Sequence, residues 1–296
     1  MSPRLLTAAL SAGLALGALT GCAGSPSLPA AGVVHAVQIP ADTSVSKSSP
    51  PAVVVPTLPA IADRSQLTLI DSWALTPTAV LDDGKSVITQ TAAVTAAAGA
   101  LVLDAPGGTV IGVLPSRTLS ADTVVPVVET RYDGAWLRVE LPSRMNVPST
   151  GLDTNGATGW VSSSEVAVAT VGSSVVVDLT ARTLTILDAA GTVTYSAEVG
   201  IGKTATPTPT GRGYLASIVD GTESTPRVFA TSMHSAAIDE YAGDSAVIGA
   251  HTVAGAGMPR TGAVSNGCVR LSAATQDLVE ALPPGTPLEI TNYEGV

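Results

Sequence analysis

The sequence predicts a mainly β protein made of two consecutive β units, and three observations carry that prediction. Apolar residues are 45% of the chain, with a single Phe and abundant Val, Ala and Thr, a composition suited to pleated, half-buried surfaces rather than long amphipathic helices. Short apolar and β-branched runs recur between turn signals from about residue 91 onward. One stretch alone has the caps and spacing of a convincing helix. At 296 residues the chain has room for about two domains of ~150 residues each.

Residues 1–21 carry a positive charge at Arg4 and an apolar, small-residue run from Leu5 to Leu19. This predicts a signal peptide, since the run is short for a span that needs about 20 residues. Leu19, Thr20, Gly21 and Cys22 resemble the bacterial lipoprotein box. That resemblance implies an exported chain lipidated at Cys22 and anchored to the outer face of the cytoplasmic membrane, facing the cell wall. Residues 22–62 are rich in Ser, Pro, Ala and Val without a sustained period and predict an extended, lipidated tether. Residues 63–90 contain Leu67, Leu69, Ile70, Trp73 and Leu75 but no clean pattern.

Residues 91–168 hold apolar segments at 101–103, 110–114, 124–128, 136–141 and 159–161, the pattern of a small β-barrel. Asp133 and Gly134 suit a tight hairpin turn, and Trp136, Leu137, Val139 and Leu141 supply a strand with one buried face. The order Gly134, Ala135, Trp136, Leu137, Arg138, Val139, a loop, and then Gly159, Trp160, Val161 resembles bacterial SH3-like domains. In that family such domains bind wall components or brace a catalytic neighbour.

The last unit, residues 171–296, opens with apolar and β-branched segments at 175–179, 183–187 and 192–196, predicting a three-stranded meander. Ser272 is placed to N-cap a helix with Leu278, Val279 and Leu282 on one face, and Pro283, Pro284 and Gly285 end it. A final strand is predicted over 287–291.

Net charge is -10 with only 14 Lys plus Arg and no basic cluster, which disfavours nucleic acid and anionic headgroups as partners. If Cys22 is consumed by lipid, Cys268 remains as a thiol without a disulfide partner in an oxidising compartment. It is then either an inert buried residue or a reactive one.

A thiol with a pKa near ~8.5 needs a base or a positive neighbour to act as a nucleophile. Two candidates are near in sequence. His251 ends the apolar run from Val247, 17 residues before Cys268, where a strand end could deliver it to a cleft. Arg270, two residues past Cys268, would lie on the same side of an extended stretch and favour the thiolate or bind a carboxylate. Gly267 permits a backbone turn that aims main-chain N–H groups at one spot, as an oxyanion hole requires. Such parts suit acyl transfer. Scattered His and a lone Cys lack the close ligand pair of a zinc site, and no cofactor is implied.

Ile248, Gly249, Ala250 and His251, then Arg260 to Val264, then Ser265, Asn266, Gly267, Cys268, Val269, Arg270 and Leu271 resemble the signature of the L,D-transpeptidase family (YkuD-type catalytic domain). Upstream, residues 175–179, a turn at Gly200, Ile201, Gly202 and Lys203, and Thr206 to Gly211 fall in the family's order. The resemblance implies a β-sandwich-like catalytic domain with one or two short helices, and a peptidoglycan cross-linking enzyme with Cys268 as nucleophile and His251 as base. It further implies that Thr252 orients the imidazole through its carbonyl and that Ser265, Asn266, Gly267 and Arg270 surround the oxyanion or substrate; His234 falls where the family has a mobile segment over the cleft, and either lines the groove or is a surface or core-satisfied histidine. Asn266 stands where many members have His, and Thr252 where many have Gly. The implied partners are peptide stems of peptidoglycan and carbapenem-type β-lactams. Two alternatives stay open: a non-catalytic wall-binding lipoprotein, which would bind sacculi without turnover, and a carboxypeptidase or exchange enzyme, which product analysis would reveal.

Overall fold

The computed structural model describes residues 53–241, 243–254 and 260–292. The predicted signal and Cys22 lie outside the described residues. The chain is mainly β, as its composition predicts.

The first sheet contains β1 (Val80–Leu81), β2 (Gln90–Val94), β3 (Ala100–Leu103) and β4 (Val110–Leu114). After a small separate hairpin of β5 (Arg117–Thr118) and β6 (Ala121–Asp122), it continues through β7 (Val124–Arg131), β8 (Trp136–Glu140), β9 (Ala157–Ser162) and β10 (Val166–Thr170). Its order is β10-β2-β7-β8-β9-β3-β4, with β1 added on β9. The turn between β7 and β8 has positive φ at Tyr132, Asp133 and Gly134, the backbone a tight hairpin demands.

The sequence assigns one buried face to residues 136–141; in the structure both faces are covered. Leu137 and Val139 join Val102 and Val161 in one core, while Trp136 packs with Leu101, Leu103 and Trp160 in a second. The cover is the chain before the sheet. Leu58, Ile61 and Leu67 pack on that second cluster, and Trp136 Nε1 donates to the Pro56 carbonyl at 3.0 Å. Thus residues 53–62, read from sequence as tether, lie on the sheet. Residues 63–90 are also built in, through buried Ile70, the Arg64–Glu165 ion pair at 2.5 Å and β1.

The second sheet comprises β11 (Ser173–Asp178), β12 (Thr183–Asp188), β13 (Val193–Glu198), β14 (Gly200–Gly202), β15 (Gly211–Thr222), β16 (Thr225–His234), β17 (Val247–His251), β18 (Gly262–Ser265), β19 (Val269–Arg270) and β20 (Thr286–Thr291). Its order is β13-β12-β11-β20-β15-β16-β17-β19-β14-β18. The predicted meander is β11 to β13. Residues 200–202, expected to turn, form a strand instead, pairing with β18 and β19. A Cβ on Gly202 would lie 2.3 Å from the Thr206 carbonyl oxygen, so its glycine serves close backbone approach.

Helix α1 (Ala273–Glu280) is capped as predicted, Ser272 Oγ accepting from Thr275 N at 3.1 Å. Its inner face differs from the prediction. Thr275, Gln276 and Val279 are buried and Leu282 packs beside them, whereas Leu278 is 42% exposed. Centring that face on Gln276 and Val279 turns Leu278 outward.

Strand β15 belongs to two cores. Leu215 faces the second unit's interior with Val177, Phe229 and Ile290. Tyr214 and Ala216, pointing the other way, complete the core of the first sheet. Polar contacts reinforce the junction: Arg212 pairs with Asp82 at 2.5 Å and Glu140 at 2.9 Å, and Ser120 Oγ meets Ser217 Oγ at 2.9 Å.

Candidate active site

Strand β17 ends on His251, and β19 begins one residue after Cys268. They pair in parallel, Ala250 opposite Val269 and His251 opposite Arg270, so residues distant in sequence come onto neighbouring strands about 4.8 Å apart.

Cys268 is a half-buried free thiol. Its Sγ accepts the Gly249 N–H at 3.5 Å. Burial pushes its pKa above the ordinary thiol value, opposed by the Gly249 N–H, the Arg270 charge and its own N–H. His251 is 7% exposed, and its Nδ1 lies 2.7 Å from the Thr252 carbonyl oxygen. A carbonyl only accepts, so Nδ1 carries the proton and Nε2 the lone pair. Burial pulls the imidazole pKa below its usual value; the Thr252 bond opposes this, and Arg270 adds to it. Both shifts favour the neutral forms of thiol and imidazole.

The peptide linking His251 to Thr252 is held at both ends. Leu271 N donates to the His251 carbonyl at 2.9 Å, and Thr252 N donates to Gln276 Oε1 at 2.5 Å. Gln276 Nε2 donates in turn to Glu280 Oε1 at 2.6 Å, and Glu280 pairs with Arg227 at 2.7 Å. A chain of polar contacts thus runs from helix α1 to the imidazole.

Gly267 has φ +122°, and a Cβ there would lie 2.9 Å from Ile248 Cδ1. Its N–H, expected to face an oxyanion, donates instead to Ser265 Oγ at 3.1 Å. Ser265 Oγ donates to the Cys268 carbonyl at 2.6 Å, closing a turn that needs both groups. Buried Ser265 therefore shapes the turn from within. Thr208 braces it from the other side, donating to the Gly267 carbonyl at 2.7 Å and accepting from Gly202 N at 2.9 Å. The N–H groups beside the sulfur are those of Gly249 and of Cys268 itself, not that of Gly267.

Cys268, His251, Arg270 and Asn266 line one cavity of about 430 Å³, walled further by Ile238 and Tyr241. Asn266 is exposed, with Nδ2 3.4 Å from the Tyr241 hydroxyl, which accepts. Thr252 lies behind the imidazole and reaches the site through its backbone. His234 does not line the groove. It is 0% exposed, Nε2 sits 2.8 Å from the Ser72 carbonyl oxygen, and burial pulls its pKa down to about 4. Sequence reasoning missed Gln276, Thr208, Gly249 and Tyr241. Gln276, four residues after the Ser272 cap, carried the one available signal, a polar residue on the helix's inner face.

Residues 172–290 match the YkuD family model, the L,D-transpeptidase catalytic domain. Among curated proteins there is no match. Similar solved structures include the Ldtfm-avibactam carbamoyl enzyme, 19% identical, covering 42% of this chain and 50% of its own, TM-score 0.31. An L,D-transpeptidase from Mycobacterium smegmatis is 15% identical, covering 53% and 90%, TM-score 0.33. An L,D-transpeptidase from Stackebrandtia nassauensis is 22% identical, covering 42% and 58%, TM-score 0.31. The chain thus spans about half the length of the first of these and over half of the third.

Proposed function

We propose that this protein is a peptidoglycan L,D-transpeptidase working through a Cys268 thioester, residues 172–290 being its catalytic domain. The observation that carries the reading is the shared cavity of Cys268 and His251, with the imidazole committed through Nδ1 to Thr252 and Nε2 left as base.

Nε2 takes the thiol proton as sulfur attacks the carbonyl of the third residue of a donor stem. The tetrahedral intermediate collapses with cleavage of the C–N bond, and the imidazolium returns the proton to the departing D-alanine amine. An amine of a neighbouring stem then attacks the thioester. Its proton passes to Nε2, the C–S bond breaks, and the thiol is restored, leaving a cross-link between third-position residues. Arg270 opposes imidazolium and favours thiolate, so its charge assists attack and speeds return of the proton. Export, lipidation at Cys22, anchoring at the cell-wall side of the membrane and the SH3-like character of residues 91–168 belong to the same reading.

Carbapenem-type β-lactams carry a strained acyl group and should acylate Cys268. Intact mass of the purified protein should gain one carbapenem equivalent, Cys268→Ala should gain none, and His251→Gln should react far more slowly. An unmodified wild type, or an adduct that survives Cys268→Ala, rules out the mechanism.

A further inference from the structure

The connection from β16 to β17 forms one wall of the catalytic cavity through Ser235, Ile238, Tyr241 and Ala246. Among the described residues, Ser235 N donates to the Ala246 carbonyl at 2.9 Å, Tyr241 and Asp244 exchange backbone bonds at 2.9 and 3.0 Å, and Asn266 Nδ2 reaches the Tyr241 hydroxyl at 3.4 Å.

The first β unit grips the same wall at three places. At its root, the Asn155 amide acts as a miniature strand edge: Nδ2 donates to the His234 carbonyl at 2.8 Å and Oδ1 accepts from His234 N at 2.7 Å. At its middle, Ser149 N donates to Asp239 Oδ1 at 2.8 Å, and Arg144 Nη1 donates to the Asp239 carbonyl. At its return, Arg144 Nη1 reaches the Ser245 carbonyl at 3.2 Å. There the Ser72 carbonyl also accepts from Ser245 Oγ at 2.7 Å, beside its contact with His234 Nε2.

The gripping residues are themselves fixed. Arg144 is 8% exposed, and its carbonyl accepts from Thr76 N at 2.9 Å. Met145 N donates to the Thr154 carbonyl at 2.8 Å, pinning the loop that carries Asn155. A wall held from a rigid neighbour keeps its shape without substrate, which lowers the ordering cost of binding.

We infer that Asn155 and Arg144 of the first β unit are positioning residues that set the shape of the acyl-donor cavity in the second. The inference rests on the transpeptidase reading of that cavity, and it assigns the first unit a part in substrate selection at the active site.

The test compares two reactions of the full chain: acylation of Cys268 by a carbapenem, which must fill the cavity, and alkylation by iodoacetamide, which needs only the thiol. Asn155→Ala and Arg144→Met should each slow acylation by about tenfold, the effect of one or two lost hydrogen bonds. Alkylation rates should stay within about twofold of wild type, and Arg144→Lys, which retains a donor, should recover part of the loss. Asp239→Ala removes the acceptor of Ser149 N from the wall's own side of the seam and should slow acylation in the same way, even if the buried-side variants fold poorly. Wild-type acylation with unchanged rates in all three seam-breaking variants overturns this inference alone. Equal losses in both reactions overturn it too, since they report damage to the thiol itself. A wild type that is not acylated at all overturns the underlying functional reading.

Discussion

At the level of single residues, the chemistry turns on which nitrogen of His251 is free, and that is decided two bonds away. Gln276 holds Thr252, whose carbonyl accepts the hydrogen bond from Nδ1–H. Gln276→Leu leaves the part-buried Thr252 N–H without its acceptor, which costs about 1 kcal/mol locally, and loosens the bond that raises imidazole basicity. The variant should acylate about tenfold more slowly, and the acid limb of its pH–rate profile should move to lower pH, because the His251 pKa falls further. A profile unchanged in shape would restrict Gln276 to packing. Cys268 and His251 were legible in the sequence through the resemblance to the L,D-transpeptidase signature, since their spacing alone is weak evidence, and Arg270 through its place two residues past Cys268 on an extended stretch. Gln276 was not, because its role runs through a backbone peptide whose direction no residue pattern reveals.

Among elements, the turn from β18 to β19 is fixed from both sides. Ser265, Thr208 and the positive φ of Gly267 fix it together. Gly267→Ala adds strain of about 1–3 kcal/mol and a contact with Ile248, so the turn should reopen. Chemical denaturation should show a loss of that size, and carbapenem acylation should fall by at least about tenfold; wild-type rates in a folded variant would show that the turn tolerates another shape. The meander β11–β13, the Ser272 cap and β17 were readable from local chemistry. The strand at 200–202 was not, since two glycines signal a turn unless the neighbouring carbonyls that crowd them are known. His234 stayed open between groove and core for a related reason: its bonds to Ser72 and Asn155 are visible only once the two units are packed.

For the whole molecule, the junction holds a buried Arg212 between two carboxylates. Burial pushes Glu140 up to about 8, against the pull of Arg212 and with the push of Asp82. A carboxyl whose folded pKa is raised binds its proton more tightly in the native state. Its contribution is therefore complete below the unfolded value and is lost as pH rises through about 8. The melting temperature should fall as pH rises from about 5 to about 8 and level off above that, and Glu140→Gln should flatten that slope, measured by thermal melts across the range; an equal slope in the variant would place the pH sensitivity elsewhere. None of this was legible beforehand, because Asp82, Glu140 and Arg212 are far apart in sequence and read singly as surface charges.

The double allegiance of β15 bears on the order in which the chain acquires its shape. During synthesis the first sheet is complete in sequence by residue 170, yet Tyr214 and Ala216, which close its interior, have not been made. Until they arrive, the leading half carries an apolar opening and cannot settle into its final form.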